Sequence, residues 1–178
     1  MKFLIASDLH GSLEYTNLLL QAFQKEKADK LLLLGDIYYH GPRNPLPINY
    51  NPLEVANLLN SISKQLIVIK GNCDSKVDEM ISDFQFIQDG IIFIDNKSIY
   101  LQHGDKYNID NLPKIDFDIF LYGHYHVGFI QKLNNRIIAN CGSVSLPKNN
   151  TERSYLILEK ESLSLKNLQG NLIDSINI

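Results

Sequence analysis

The chain has 178 residues, of which 44% are hydrophobic and 21% are charged, and its net charge at pH 7 is −3. This length and composition predict one soluble globular domain spanning residues 1–178, and the negative charge argues against bulk attraction to nucleic acid or anionic membranes. The two cysteines, Cys73 and Cys141, favour a reduced cytoplasmic protein over a disulfide framework. No apolar run is long enough to predict a membrane span.

The first half of the chain alternates strand and helix patterns. Short apolar runs that end at polar residues or Gly predict buried strands, and apolar residues at helical spacing predict amphipathic helices. The sequence Asn51-Pro52 suits a helix start, with Asn51 as N-cap and Pro52 at the first helical position. The predicted elements are strands at 2–6, 31–34 and 66–69, and helices at 12–27, from 52 onward and, more briefly, at 75–84.

The second half reads mainly as strands. They are predicted at 91–94, 98–101, 119–122, 129–133, 136–140, 155–158 and 163–168. A strand-helix pattern followed by strands predicts an α/β (α+β) protein, in which two sheets pack face to face with helices outside.

Five loops of the chain share one pattern, in which metal-ligating side chains or Gly follow an apolar strand. In α/β sheets, ligand sites collect at the carboxyl ends of strands, so these loops are expected to converge. Four of the five histidines fall in these motifs. The motifs are Asp8-x-His10, Gly35-Asp36, Gly71-Asn72, His103-Gly104 and Gly123-His124-x-His126.

The donor set of these motifs predicts a metal site. Carboxylate, amide and imidazole donors suit Mn²⁺, Fe, Zn²⁺ or Ni²⁺ rather than Cu(I) or an iron–sulfur cluster. Seven donors are too many for one catalytic ion with open positions, so two ions that share a carboxylate are expected. Asp36 is the expected bridge, because a carboxylate has two acceptor oxygens.

The ordered motif set D-x-H, G-D, G-N-x-D, H-G and G-H-x-H resembles the calcineurin-like metallophosphoesterase superfamily, from Asp8 to about Leu146. The short chain, the Gly71-Asn72-Cys73-Asp74 motif and the loop at 40–44 resemble the small bacterial YfcE-type phosphodiesterases. This resemblance implies a four-layer α/β/β/α sandwich of two mixed sheets flanked by helices. It also implies one ion held by Asp8, His10, Asp36 and His126, and another held by Asp36, Asn72, His103 and His124.

The resemblance further implies a binuclear phosphodiesterase. A metal-bridging hydroxide would attack the phosphorus of a small phosphodiester, with Mn²⁺ as the preferred ion and Zn²⁺, Fe or Ni²⁺ as alternatives. Cys73 stands where most of the superfamily has a His, which favours diesters over monoesters. The candidate catalytic residues are His40, Cys73 and Asp74, and Arg43 is the candidate phosphate contact.

Three other functions remain open from the sequence. The first is a phosphomonoesterase or a dinucleoside polyphosphate hydrolase, which uses the same chemistry. The second is a non-catalytic scaffold, because the superfamily includes a protein-scaffolding member of retromer in which the metal residues are partly lost. A nuclease is disfavoured, since the chain has only three arginines and no basic stripe. A homo-oligomer is compatible with the predicted strand-rich surface, and no membrane partner is expected.

Overall fold

The computed structural model describes residues 1–178, which form twelve strands, three α-helices and a short 3-10 helix at Ser63–Gln65. The strands are β1 (Phe3–Ala6), β2 (Lys30–Leu33), β3 (Leu66–Ile69), β4 (Phe86–Ile87), β5 (Gly90–Ile94), β6 (Lys97–Leu101), β7 (Ile119–Tyr122), β8 (Gly128–Leu133), β9 (Arg136–Cys141), β10 (Ser154–Leu158), β11 (Ser162–Asn167) and β12 (Leu172–Asn177). The helices are α1 (Leu13–Glu26), α2 (Pro52–Asn60) and α3 (Lys76–Met80).

The strands form two mixed sheets. The first sheet has the order β12-β11-β10-β1-β2-β3-β4, in which β1 to β4 run parallel and β10 to β12 are antiparallel. The second sheet has the order β5-β6-β7-β9-β8, with β6, β7 and β9 parallel. The carboxyl ends of β1, β2 and β3 therefore lie at one edge of the first sheet, and those of β6 and β7 lie at one edge of the second.

Local sequence explains where the two long helices begin. The side chain of Ser12 accepts a hydrogen bond from the backbone N–H of Tyr15 at the start of α1, and Asn51 accepts from Glu54 in the same way at the start of α2. Lys27 ends α1 in the left-handed conformation, with φ of 52°. None of the helices combines the length and the apolar character that a bilayer crossing needs.

The central strands are apolar along their whole length because both of their faces are covered. Successive side chains of a strand point to opposite faces. Leu4 and Leu31 face the core under α1 and α2, whereas Ile5 and Leu32 face the core between the two sheets. The inter-sheet core includes side chains from both sheets, so the sheets pack face to face.

The predicted fold class, two mixed sheets flanked by helices, is confirmed. One detail differs, because the outer face of the second sheet is covered by the irregular segment 105–117 rather than by a helix. Within this segment the Asn108 side chain accepts hydrogen bonds from the backbone N–H groups of Asp110 and Asn111. Such a side-chain bond stabilises a turn in place of a helix.

Candidate metal centre

The five loops converge, and their side chains form two groups. The first group combines Asp8 and His10, after β1, with His126, after β7. The Nε2 atoms of His10 and His126 lie 3.2 Å apart. The Oδ1 atom of Asp8 lies 3.1 Å from Nε2 of His126 and 3.5 Å from Nε2 of His10. Three donor atoms from two sheets therefore face one point.

The second group combines Asn72, after β3, with His103 and His124, after β6 and β7. Nε2 of His103 lies 3.1 Å from Oδ1 of Asn72 and 3.2 Å from Nδ1 of His124. Asp36, after β2, reaches both groups. Its Oδ1 lies 3.4 Å from Nε2 of His103, and its Oδ2 lies 3.9 Å from Nε2 of His10. Asp36 thus lies between the two groups.

Backbone carbonyls orient three of the four imidazoles. Each carbonyl can only accept a hydrogen bond, so the Nδ1 atom that faces it carries the proton. In the neutral form of each ring, the Nε2 atom then has a lone pair directed into the site. The Nδ1 partners are the carbonyl of Tyr39 for His10 (2.8 Å), of Leu34 for His103 (2.6 Å) and of Leu146 for His126 (2.6 Å).

Two features of the first group fit a bound cation. The lone pairs on the Nε2 atoms of His10 and His126 face each other, and they repel unless a cation or a proton lies between them. The Oδ1 atom of Asp8 is buried and has no hydrogen-bond partner, which is costly for a carboxylate. Imidazole nitrogens and carboxylate oxygens are the donors that Zn²⁺, Mn²⁺ and Fe prefer, so these residues fit divalent ions.

The electrostatics of the site favour positive charge. Burial alone would lower the pKa of His103, but the hydrogen bond with Asp36 and the negative charges of Asp8 and Asp36 raise it to about 10. Burial opposes ionisation of Asp8, yet contacts with His10 and His126 hold its pKa well below the usual range. The carboxylates therefore draw protons onto His10 and His103, whereas burial and the charge of His103 lower the pKa of His124. A divalent cation that takes the place of the protons on His10 and His103 releases them.

The backbone of five of the seven candidate ligands is in the left-handed region. Residues other than Gly rarely adopt this conformation, and it concentrates at functional sites, where surrounding contacts hold it. The backbone N–H of Asp8 donates to Gly35, and that of His10 donates to Asp36, both at 3.0 Å. The φ angles are 59° for Asp8, 48° for His10, 56° for Asp36, 64° for His124 and 59° for His126.

Asp74 is buried behind the candidate ligands. Its carboxylate accepts three backbone hydrogen bonds, from Asp36 (2.9 Å), Ile37 (2.8 Å) and Gly71 (2.7 Å). Burial raises the pKa of Asp74 to about 6, against the effect of these donors. Asp74 thereby ties the loop after β2 to the loop after β3. A Cβ atom at Gly71 would overlap the carboxylate of Asp36, which explains the Gly at this contact.

Cys73 contacts two of the candidate ligands. Its backbone N–H donates to Oδ1 of Asp36 at 2.8 Å, and its sulfur accepts from Nδ2 of Asn72 at 3.3 Å. This second contact turns the Oδ1 atom of Asn72 toward His103. Burial and the nearby charge of Asp36 raise the pKa of the Cys73 thiol to about 12, so it stays protonated and neutral at pH 7.

A cleft of about 460 Å³ opens over Asp36, Asn72, His124 and His126. Arg43 lines this cleft, but His40 does not. The ring of His40 packs edge-on against the rings of Tyr39 and Tyr50, with centroid distances of 4.8 and 5.3 Å. The structure also places Asn44 and Lys148 on the cleft, and neither is among the candidate site residues named from the sequence. Lys148 follows the last motif by more than twenty residues, and no local pattern marks it.

A family model described as the calcineurin-like phosphoesterase superfamily domain matches residues 1–163. The chain belongs to the calcineurin-like phosphoesterase superfamily. Phosphodiesterase YfcE of Escherichia coli is 38% identical over 167 residues, which cover 93% of this chain and 91% of that protein. The solved structure of Yfce, a phosphoesterase from E. coli, superposes with a TM-score of 0.95 at 35% identity, covering 99% of this chain and 98% of that one.

More distant structures share the fold alone. Vacuolar Protein Sorting 29 from Cryptosporidium parvum superposes with a TM-score of 0.69 at 18% identity, over 99% of this chain and 98% of that chain. The resemblance drawn from the five motifs is confirmed by these comparisons. The expectation of an enzyme, a phosphoric ester hydrolase of the calcineurin-like superfamily, is confirmed with it.

Proposed function

We propose that this chain is a binuclear metal-dependent phosphodiesterase that hydrolyses a small phosphodiester, with Mn²⁺ as its preferred ion. The observation that carries the proposal is the pair of donor groups that meet at Asp36, each built from loops of both sheets. The name of the E. coli relative, a phosphodiesterase, supports the same reaction.

Asp36 would bridge the two ions. When bound, the ions supply Lewis-acid stabilisation of the phosphate and activation of water at neutral pH. One ion would be held by Asp8, His10, Asp36 and His126, and the other by Asp36, Asn72, His103 and His124.

The chain itself contributes preorganisation of these ligands. The carbonyls of Tyr39, Leu34 and Leu146 hold three imidazoles with Nε2 directed into the site, so no ring has to turn when a cation binds. Arg43 would contact the substrate from the cleft wall.

We propose positioning roles for the three residues that the sequence suggested as catalytic. Asp74 fixes the backbone of Asp36, and Cys73 orients the amide of Asn72. His40 stays outside the cleft, where its carbonyl accepts from Asn44 at 2.8 Å and so helps to shape the loop that carries Arg43. Cys73 lines the cleft, but burial and the charge of Asp36 raise the pKa of its thiol to about 12, so it stays neutral, whereas His40 and Asp74 do not line the cleft.

The experiment that tests the function measures hydrolysis of bis-p-nitrophenyl phosphate. The protein is first treated with a chelator and then supplied with Mn²⁺, Zn²⁺, Fe²⁺ or Ni²⁺. We expect activity to vanish with the chelator, to return best with Mn²⁺, and to be lost in Asp36→Asn. Asp95→Asn is the matched control, because this exposed carboxylate lies in the turn between β5 and β6 and pairs with Lys160 at 3.2 Å, away from the ligands.

The same assay separates the rival functions. Faster turnover of p-nitrophenyl phosphate than of the diester would establish a phosphomonoesterase instead. Full activity in a metal-free preparation would refute the metal mechanism. A protein that binds no divalent ion and hydrolyses neither ester would favour a scaffold.

Two further proposals follow from the packing. We propose that residues 1–178 act as a single domain, because the core between the sheets combines β1 and β2 with β6, β7 and β9. We also propose a cytoplasmic location, supported by the free thiols of Cys73 and Cys141. The expectation of a homo-oligomer would be tested by the mass of the protein in solution.

A further inference from the structure

The cleft above the candidate ligands carries two cationic side chains that form no ion pair, and the acidic residue among its lining is Asp36, the candidate ligand shared by both donor groups. Arg43 and Lys148 line it from different loops, and both side chains are exposed. Neither side chain forms an ion pair, and neither makes a hydrogen bond within the chain. Their charges are therefore free to act on whatever occupies the cleft.

Backbone hydrogen bonds hold the two loops that carry these cations. The N–H of Lys148 donates to the carbonyl of His126 at 3.0 Å, and its own carbonyl accepts from the N–H of Thr151 at 3.0 Å. On the other side of the cleft, the N–H of Asn44 donates to the carbonyl of Gly41 at 3.4 Å and closes a turn that contains Arg43. Lys148 is thus tied directly to a ligand loop, Arg43 lies in a local turn on the cleft, and the ends of both side chains can move.

The volume of this cleft and its positive charge are both larger than one phosphate group requires. A cleft of about 460 Å³ lies in the range that holds a whole small molecule. A phosphodiester has a single negative charge, and two divalent ions at its phosphate would already balance that charge. Two more cations in the same cleft indicate a second negative group on the ligand.

A neighbouring cleft of about 280 Å³ is also lined by Asn72, and it has no excess of positively charged side chains. It is lined by two lysines and two aspartates, and one of the lysines, Lys70, is paired with Glu79 at 2.7 Å. A phosphodiester has two arms, one on each side of phosphorus. The two clefts therefore offer one arm a cationic surface and the other arm a polar surface of balanced charge.

We infer that Arg43 and Lys148 form an anion clamp, and that the substrate is a phosphodiester with one arm that ends in a carboxylate or a phosphate. This inference rests on the proposed phosphodiesterase function. The guanidinium of Arg43 can bind a carboxylate or a phosphate through two parallel hydrogen bonds, and the ammonium of Lys148 adds a mobile point charge. The clamp selects the substrate and takes no part in the attack on phosphorus.

The test compares three p-nitrophenyl diesters that share a leaving group and differ in the second arm: 3-carboxypropyl, butyl and 2-(trimethylammonio)ethyl. In the wild-type protein with Mn²⁺, we expect kcat/KM to be about tenfold higher for the carboxylate arm than for the butyl arm, and lowest for the cationic arm. In Lys148→Gln and in Arg43→Gln this ratio should fall to about threefold, mainly through KM. Lys132→Gln is the matched control, because Lys132 is exposed and unpaired on β8, and it should keep the wild-type ratio.

A binding measurement gives a second readout. The product 3-carboxypropyl phosphate should inhibit hydrolysis of bis-p-nitrophenyl phosphate with a lower inhibition constant than butyl phosphate, and Lys148→Gln should remove most of that difference. Equal kcat/KM for the carboxylate and butyl arms in the wild-type protein would overturn the clamp while leaving the phosphodiesterase intact. A wild-type ratio that Lys148→Gln and Arg43→Gln leave unchanged would also overturn it. Absence of hydrolysis of all three diesters would instead refute the proposed function.

Discussion

Replacing Asp74 by Asn tests whether this residue positions the site or acts in the chemistry. The carboxylate accepts from Asp36, Ile37 and Gly71 with distances of 2.7 to 2.9 Å. An Asn side chain has the same shape, but only one of its two ends can accept. If its oxygen takes the donors of Asp36 and Gly71, its NH₂ group faces the N–H of Ile37. One buried donor then has no partner and meets another donor.

The expected loss of stability follows from those contacts. A buried N–H that is left unpaired costs about 1–3 kcal/mol, and each charge-assisted bond that becomes neutral costs up to about 1 kcal/mol more. Burial disfavours the ionised carboxylate of Asp74 and raises its pKa to about 6, so replacing it with a neutral amide recovers part of the lost stability. We therefore expect a net loss of about 2–3 kcal/mol, or a fall in Tm of about 4–12 °C for a chain of this size.

The assay combines denaturant unfolding at pH 8, where the wild-type carboxylate is ionised, with titration of Mn²⁺. Because Asp74 holds the backbone of Asp36, we expect Mn²⁺ to bind at least tenfold more weakly, in line with the cost of losing an outer partner of a ligand. Asp78→Asn is the matched control. Asp78 also accepts a hydrogen bond from a backbone N–H, that of Ser75 at 2.7 Å, but at the exposed start of α3. The Asp78→Asn substitution should therefore lower the free energy of unfolding by about 1 kcal/mol or less.

Two results would refute the reasoning about Asp74. Unfolding and Mn²⁺ affinity close to wild type would show that the three backbone bonds matter little. A large fall in kcat at saturating Mn²⁺, with stability and affinity unchanged, would show that Asp74 takes part in the reaction as the sequence first suggested.

Three further predictions concern other contacts. Mn²⁺ at one hundred times its Kd should stabilise the protein by about 2.7 kcal/mol, and Asp36→Ala should abolish most of this gain in thermal unfolding, whereas Asp95→Ala should keep it. Gly71→Ala should weaken Mn²⁺ binding, as read by titration calorimetry, because the new methyl group displaces the Asp36 carboxylate; unchanged affinity would contradict the overlap. Burial raises the pKa of Glu26, but hydrogen bonds from Lys166 and Lys2, at 2.7 and 3.0 Å, outweigh burial and leave the pKa below its usual value. The ionised Glu26 therefore stabilises the fold above about pH 4.5, and this contribution is lost as the pH falls. Glu26→Gln should thus cost about 1–2 kcal/mol in urea unfolding at pH 7 and much less near pH 3, and an equal cost at both pH values would contradict this.

The sequence predicted the fold best where pattern and burial agree. The run Ile119–Tyr122 was expected as a buried strand and is β7 with the same bounds. The cap Asn51 and the first residue Pro52 marked the start of α2 correctly. These elements are predictable because their local preferences coincide with the tertiary packing.

Elements that depend on distant partners were missed or misjudged. Strand β4 has only two residues, and it exists because Phe86 and Ile87 pair with β3. Strand β12 is exposed at nearly every position, so it carries no alternating pattern. The helix expected over 75–84 ends at Met80, because the Asn60 side chain binds the carbonyl of Ile81 and the N–H of Asp83.

In the candidate site, too, the sequence predicted the residues that lie at strand ends and missed the features that depend on distant contacts. The motifs pointed to all seven side chains that the structure brings together, because strand ends place them in a common loop layer. The motifs gave no indication that Asp74 accepts three backbone bonds or that Cys73 orients Asn72, since both contacts need the folded loops. Lys148 was missed because only the folded chain brings it beside Arg43.

Each of the two donor groups takes side chains from both sheets: Asp8 and His10 face His126, and Asn72 faces His103 and His124. A cation bound at either group would therefore act as a cross-link at the open end of the sandwich, much as a disulfide joins two layers elsewhere in proteins. Loss of both ions would allow the loops of the two sheets to separate at that end, while the apolar core between the sheets stays packed. The amides of the loops after β1, β3, β6 and β7 would then exchange hydrogen for deuterium faster, and those of the central strands would keep their protection.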